Sequence, residues 1–208
     1  MTKEVNLHVG CGTVYLENWV NIDYTGLSSQ TNPLNLAENT TDIQHYYKYP
    51  YLPAAFGEKP NERQIVVDLS ADAIRLPFAD NSITRILTVN LINHVRRQDF
   101  IPMVKDWHRV LKPHGELIID VDDVVDMSRQ VVEAKNINEL ETALRYLYCH
   151  SRTPFDSHYW GYTEEYLKEL LPPLGYTFRW RNDEFIHHDA GYPRFLVCFE
   201  KNESELSV

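Results

Sequence analysis

A pair of glycines near the start of the chain has the spacing of a nucleotide-binding turn. Gly10-x-Gly12 follows the strand-like run Val5–Val9. The next such run, Trp19–Asp23, ends in an acidic residue. Glycines let backbone N–H groups approach a ligand closely, and a carboxylate at the end of the neighbouring strand accepts hydrogen bonds from ribose hydroxyls. The pattern therefore predicts a site for a nucleotide-like cofactor.

A nicotinamide dinucleotide is a weaker alternative for that site. The dinucleotide fingerprint requires a third glycine at position 15, where this chain has Tyr15. It also places its acidic residue about 20 residues further along, whereas Asp23 comes sooner.

Other side chains with reactive groups follow the predicted fourth and fifth strands. His94 is a candidate to deprotonate a hydroxyl acceptor, because histidine titrates near neutral pH, although a histidine at a helix start is as often a hydrogen-bonding cap. The run His158–Tyr162 is placed to form one wall of a substrate site. We assign no metal ligand, and the histidines His158, His187 and His188 are unassigned.

An acidic cluster leaves two interpretations open. Either it holds a divalent cation, or it begins a helix whose dipole it stabilises. Its members are Asp120, Asp122, Asp123 and Asp126.

Alternating strands and helices must position these residues, which predicts an α/β fold. A helix is expected from Phe100 to Leu111, with Asp99 as its cap, followed by one over Ile137–Tyr148 and one that begins after Thr163. The predicted strands are Val5–Val9, Trp19–Asp23, Gln64–Leu69, Ile83–Val89, Glu116–Val121, Tyr176–Arg181 and Arg194–Glu200.

Size and composition favour one globular domain. The chain has 208 residues, of which 43% are hydrophobic, enough to fill a core. We assign residues 1–200 to a single domain, 30–63 to a lid or substrate loop within it, and 201–208 to a flexible tail. The net charge of -10 argues against DNA as a partner, and we expect no membrane span and a cytoplasmic location with three reduced cysteines.

Four sequence blocks, in order, resemble one known family. They are His8-Val9-Gly10-Cys11-Gly12, Trp19-Val20-Asn21-Ile22-Asp23, the run from Asp72 to Ser82, and Arg109-Val110-Leu111-Lys112-Pro113-His114-Gly115. Together they are similar to the class I S-adenosylmethionine-dependent methyltransferases, of the type 11-like kind, across Val5 to Glu200. Each block alone is weak, but the four in order are specific.

The resemblance implies a Rossmann-like three-layer sandwich. Its seven-stranded, mostly parallel sheet has the order 3-2-1-4-5-7-6, with the last strand antiparallel. This chain departs from the family at Val14, which replaces the third motif glycine, and at residues 13–18, which are too few for a usual first crossover helix. We therefore expect a shortened first crossover.

The resemblance also implies the cofactor and the residues that hold it. The cofactor is S-adenosylmethionine and the product is S-adenosylhomocysteine. The glycines would lie beside the methionine part, Asp23 on the ribose, and Asp72 near the adenine amino group, a role for which Asp68 competes. The implied cofactor-binding residues are Gly10, Cys11, Gly12, Asp23, Tyr24, Asp72, Ala73 and Asn90.

The function that follows is in-line methyl transfer to a small-molecule or glycan-like acceptor. The Asn/Asp-Pro-Pro-Tyr motif of amino-methylating DNA enzymes is absent after the fourth strand, where Val89-Asn90-Leu91-Ile92 stands. A non-catalytic, methyltransferase-like binding module is the alternative. The acceptor atom and the oligomeric state are left open.

Overall fold

The structure is a computed structural model that describes residues 4–12, 14–24, 26–28, 40–41, 65–149, 157–182 and 193–203. Seven strands form its main sheet, in the order β10-β11-β9-β8-β1-β3-β7. Two-stranded sheets pair β2 with β5 and β4 with β6. The strands are β1 Asn6–Val9, β2 Tyr15–Leu16, β3 Val20–Asp23, β4 Leu27–Ser28, β5 Thr40–Thr41, β6 Val66–Val67, β7 Leu69–Ser70, β8 Ile83–Val89, β9 Leu111–Asp122, β10 Tyr176–Arg181 and β11 Arg194–Lys201.

The main sheet has the predicted topology. Read from β7, its order corresponds to 3-2-1-4-5-7-6, and only β11 runs against its neighbours. The first strand lies between two parallel partners, with Val9 opposite Ile22 of β3 and Thr88 of β8. This register ends β1 and β3 at the same edge of the sheet, where open α/β folds bind their ligands.

Four α-helices lie within the described residues: α1 Arg97–Val110, α2 Val124–Glu133, α3 Ile137–Tyr148 and α4 Glu164–Leu170. The predicted stripe of α1 is confirmed, since Phe100, Met103, Val104 and Trp107 are fully buried against one face of the sheet. On the other face, residues of β8, β9 and β11 form a smaller apolar cluster with Val14 and Leu16.

Two helix caps can be compared with the sequence. Thr163 caps α4 as predicted, because its hydroxyl accepts from the Tyr166 N–H at 3.1 Å. Asp99 is not the cap of α1: the helix begins three residues earlier than predicted, after Arg96, and Asp99 lies in its first turn. There the carboxylate still interacts favourably with the helix dipole.

The predicted third strand is divided into two. Val66–Val67 pairs with β4 outside the main sheet, and Leu69–Ser70 pairs with β3. Asp68 interrupts the run because its carboxylate turns back to accept from the Asn21 backbone N–H at 2.8 Å. The first crossover is short, as predicted, and its described residues form the two-residue strand β2.

The boundaries of the fifth and the last strand differ from the predictions. The fifth strand begins at Leu111 instead of Glu116. β11 continues to Lys201, so this residue is not part of the tail. The Lys201 ammonium is buried and donates to the carbonyls of His108 and Leu111, at 2.7 and 2.8 Å, which fixes the end of the strand.

Several expectations lie wholly or partly outside the described residues. They include most of the expected lid at 30–63, the histidines 187 and 188, and residues 204–208. All three cysteines are described, and none forms a disulfide. Among the described helices, none has the length and apolar character that crossing a bilayer requires.

Candidate functional site

The glycine turn closes directly onto the end of β3. The Gly10 and Cys11 N–H groups both donate to the Ile22 carbonyl, at 2.8 and 3.0 Å. Gly10 and Gly12 have φ values of 71° and 53°, a region that glycine occupies without strain. A Cβ at Gly10 would lie 2.8 Å from the Leu91 side chain, so close packing also requires glycine there.

Gly12 faces open space and is linked to the acidic residue. A Cβ built at Gly12 would meet no atom within 4 Å. Its N–H donates to Asp23 Oδ2 at 2.9 Å, and the Tyr24 N–H donates to Asp23 Oδ1 at 2.8 Å. These two bonds hold the carboxylate at the rim of the turn, and each oxygen keeps acceptor capacity for a further donor.

A cavity of about 730 Å³ opens at this edge of the sheet. Its volume lies within the usual range of roughly 300–1,000 Å³ for small-molecule and cofactor sites. Apolar and acidic groups alternate around it. The structure brings eight of the nine predicted site residues to its wall, namely Gly10, Gly12, Asp23, Tyr24, Asp72, Ala73, Asn90 and His94.

Cys11 is the predicted site residue that does not line the cavity. Its side chain is buried on the other side of the turn, with Sγ 3.8 Å from the Val66 carbonyl oxygen. Burial raises the pKa of its thiol, and the nearby carboxylates of Asp23 and Asp68 raise it further. Cys11 is therefore a core residue and supplies no reactive thiol.

The position of Asp72 favours it over Asp68 as the acid at the cavity. Asp72 is exposed at the wall, where Oδ1 accepts from the Ile74 N–H at 2.9 Å. Ala73 is held beside it, because its carbonyl accepts from the buried Trp107 indole at 2.8 Å. The carboxylate of Asp68 bonds instead to Asn21 and the Tyr15 hydroxyl, outside the cavity.

A 3₁₀ turn over Ile92–His94 follows β8 and carries the polar end of the cavity. Asn90 begins this segment with a φ of 53°, and its N–H donates to the Asp120 carbonyl at 2.8 Å. At the turn's end, His94 Nδ1 lies 3.1 Å from the Ser157 carbonyl oxygen. A carbonyl only accepts, so Nδ1 carries the proton and Nε2 keeps its lone pair in the neutral ring.

Two members of the acidic cluster, Asp123 and Asp126, begin helix α2, and the other two, Asp120 and Asp122, lie at the end of β9. Asp123 is the cap of α2 and accepts from the Val125 and Asp126 N–H groups. Asp120 is ion-paired with buried Arg194 at 2.8 Å, and Asp126 pairs with Arg129. Asp122 is fully buried, and burial raises the pKa of its carboxyl while Arg194 opposes that rise.

The rest of the cavity wall comes from one run that was predicted to wall a substrate and from residues that were not predicted. Tyr159 joins the cavity because its backbone N–H bonds to the Asn93 carbonyl at 2.7 Å, which draws the His158–Tyr162 run to the carboxyl edge. That run was predicted to wall a substrate, and Tyr159 is placed accordingly. The additional wall residues without a prediction are Val9, Ile22, Ile65, Ala71, Ile74, Val95, Arg96 and Asp99. Most are apolar, and sequence spacing alone does not distinguish a cavity wall from a core.

Three features define a nucleoside-cofactor protein of the methyltransferase type. They are the mostly parallel sheet with this strand order, the glycine turn bonded to the acid at the end of the next strand, and the cavity at their common edge. Residues 7–119 match the family described as a methyltransferase domain. The chain therefore belongs to the class I S-adenosylmethionine-dependent methyltransferases, and its cofactor is S-adenosylmethionine.

Comparisons with solved structures agree on the fold. A Methanosarcina mazei S-adenosylmethionine-dependent methyltransferase is 17% identical, with a TM-score of 0.59 over 98% of this chain and 95% of its own. The Burkholderia thailandensis 1,6-didemethyltoxoflavin-N1-methyltransferase, solved with its substrate and S-adenosylhomocysteine, is 15% identical, with a TM-score of 0.56 over 96% of this chain and 71% of its own. A comparison with curated protein sequences found no match.

Proposed function

We propose that the chain transfers a methyl group in line from S-adenosylmethionine to a small-molecule or glycan-like acceptor. The observation that carries this proposal is the pair of hydrogen bonds that fix Asp23 between Gly12 and Tyr24 at the cavity rim. The cofactor supplies an activated sulfonium methyl, so the protein's main contribution is to position the acceptor.

The cofactor end of the cavity suits an adenosine. Asp23 offers acceptor oxygens for the ribose hydroxyls, and the Gly12 backbone presents no side chain to obstruct the methionine part. Asp72 offers an acceptor for the adenine amino group, with Ala73 and Ile74 as apolar walls for the base. Tyr24, half exposed at the rim, and Asn90 complete the proposed set.

The acceptor end has a basic nitrogen and aromatic rings. His94 Nε2 is oriented to take a proton when the acceptor is a hydroxyl, because Nδ1 is committed to Ser157. Tyr159 and Trp160 are partly exposed, and the Arg96 and Arg97 guanidinium groups lie 5.5 and 5.8 Å from their ring centres. Flat apolar rings beside polar groups favour a small ring-shaped acceptor, such as a sugar.

The Burkholderia thailandensis neighbour, which was solved with the small molecule 1,6-didemethyltoxoflavin bound, supports the same substrate class. The three cysteines form no disulfide with one another, which agrees with our proposal of a reducing, cytoplasmic location. Neither the proposed acceptor nor the mechanism requires nucleic acid or a membrane.

The experiment is an acceptor screen with the purified chain. We expect S-adenosylhomocysteine to be released in the presence of small-molecule or glycan acceptors, and a chiral methyl group to arrive with inverted configuration. Release only with protein or nucleic acid would contradict the proposed acceptor class. If donor binding is weaker than about 1 mM, the non-catalytic module is the better explanation.

A further inference from the structure

Three side chains beside the cavity have the chemistry of a metal site. One ring nitrogen each from His94 and His158 and the sulfur of Cys149 lie within 4.8 Å of one another. Among the described residues, no other group of three or more potential metal ligands lies this close together. We infer that His94, Cys149 and His158 bind a transition-metal ion of the zinc type. Two imidazoles and a thiolate are the donors that Zn²⁺ prefers, and hard cations such as Mg²⁺ do not.

The spacing requires only a small contraction. Zinc bonds of roughly 2.0–2.3 Å hold neighbouring ligand atoms about 3.3–3.8 Å apart in a tetrahedron. The largest separation of these atoms, at most 4.8 Å, therefore exceeds the bound spacing by about 1.0–1.5 Å. Changes in side-chain torsions supply a movement of this size without rearranging the sheet.

The backbone holds the three ligand-bearing segments together. The His158 N–H bonds to the Tyr148 carbonyl at 3.3 Å, next to Cys149 in the chain. The Tyr159 N–H bonds to the Asn93 carbonyl at 2.7 Å, next to His94. Segments from β8, α3 and the loop before α4 are thus tied at the points where the three ligands lie.

The conformation of Cys149 is a second, independent sign of a functional position. Cys149 follows the last residue of α3, with φ 58° and ψ -165°. Only glycine adopts this region freely, and any other residue there is strained. Glycine would be the favoured residue after this helix, and the chain has a cysteine instead.

Polar groups crowd His158 in a way that a bound cation would relieve. Buried Asn93 has three acceptors within 3.1 Å of Nδ2, namely Asn90 Oδ1, Asp122 Oδ2 and His158 Nε2, but only two hydrogens to give. A cation on His158 would remove that competition. Asp122 Oδ2 lies 3.9 Å from His158 Nε2, close enough to orient the ring or to become a fourth ligand.

The position suggests a role, and this role rests on the proposed methyl transfer. His94 lines the 730 Å³ cavity, and His158 lines a neighbouring cavity of about 170 Å³. A hydroxyl or thiol acceptor on the metal would lose its proton to water at lower pH. Its oxygen or sulfur would then bond to the methyl carbon as the sulfonium C–S bond breaks, leaving S-adenosylhomocysteine. In this state His94 is a ligand and not the base.

Cobalt(II) titration tests the site without any activity measurement. The full chain, treated with a chelator and kept reduced, should bind one equivalent of Co²⁺ and develop a thiolate-to-cobalt charge-transfer absorption. Cys149→Ser should abolish that absorption, and His158→Gln should weaken cobalt binding at least about tenfold. The control His114→Gln changes an exposed histidine paired with Glu200 and should bind cobalt like the wild type.

The inference is overturned if the wild type develops no charge-transfer absorption, or if Cys149→Ser retains it. X-ray absorption of the wild-type zinc form gives the same answer should a variant fail to fold: one sulfur and two imidazoles support the site, and a shell of oxygens alone refutes it. Calorimetry with S-adenosylmethionine separates the two proposals. Donor binding without cobalt binding refutes the metal site alone, and the converse refutes the proposed function alone.

Discussion

Replacing Asp23 by asparagine should weaken binding of the methyl donor strongly and reduce stability only slightly. The two carboxylate oxygens accept from Gly12 and Tyr24 at 2.9 and 2.8 Å, and we propose that they also accept from the ribose. Asparagine has nearly the same shape but presents one NH₂ group where both backbone partners donate. One of those two N–H groups then faces another donor.

The magnitude follows from hydrogen bonds to a charged group, each worth about 1.5–3 kcal/mol. Loss of one or two such bonds to the ribose corresponds to about 2–4 kcal/mol, or an affinity roughly 30- to 1,000-fold weaker. Asp23 is only half buried, so we expect the free energy of unfolding to fall by about 1 kcal/mol. Isothermal titration calorimetry with S-adenosylmethionine and thermal melting measure the two effects.

The matched control is Asp80→Asn, which removes an exposed carboxylate paired with Arg109 and away from the cavity wall. It should bind the donor within about threefold of the wild type, because surface ion pairs of this kind contribute little. If Asp23→Asn also binds within threefold while it remains folded, the ribose role of Asp23 is wrong.

Three further perturbations test other parts of the account. Gly10→Ala should lower the free energy of unfolding by about 2 kcal/mol and weaken donor binding. The new side chain would have to adopt a φ of 71°, and its Cβ would lie 2.8 Å from Leu91. An unchanged melting temperature would refute this packing argument. Asp72→Ala should weaken donor binding about tenfold in calorimetry and Asp68→Ala should not, since only Asp72 lines the cavity; the reverse ranking would exchange their roles. Burial lowers the pKa of His8 from 6.5 to about 4, so the ring is neutral in the folded chain, whereas the unfolded chain takes up a proton as the pH falls through 6.5. The contribution of His8 to stability is therefore complete above pH 6.5 and decreases below it. In urea unfolding, His8→Gln should reduce by about 2 kcal/mol the stability that the chain loses between pH 8 and pH 5.

Most strands and helices could be predicted because their signals are local. The buried β-branched runs and the glycine and proline residues between them identify strands such as Ile83–Val89, whose bounds agree with the structure. The amphipathic stripe of α1 is likewise a property of one segment. The resemblance to a family then supplied the strand order, which periodicity does not determine.

Errors occurred where a side chain far away in the sequence decides the local structure. The Asp68 carboxylate bonds to Asn21 and so divides the third strand. Lys201 extends β11 because its ammonium reaches carbonyls on α1 and β9. Helix α2 was predicted only as one interpretation of the acidic cluster and without bounds, because Met127 is its only buried side chain.

The site was also predicted only in part, because local signals place some of its residues and contacts distant in the sequence place the others. Gly10, Gly12 and Asp23 follow strand ends, so their meeting at one edge follows from parallel pairing. Cys11 shares the turn, but alternation along the backbone sends its side chain into the core. Cys149 and His158 come next to His94 through loop hydrogen bonds that no spacing in the sequence indicates.

The most direct measurement of the central claim is a crystal structure of the chain with S-adenosylhomocysteine. The account predicts that the ribose hydroxyls lie within hydrogen-bond distance, about 2.5–3.0 Å, of the Asp23 carboxylate oxygens, with the homocysteine part along Gly10–Gly12. A complex in which the adenosine occupies another part of the molecule and makes no contact with Asp23 would contradict it.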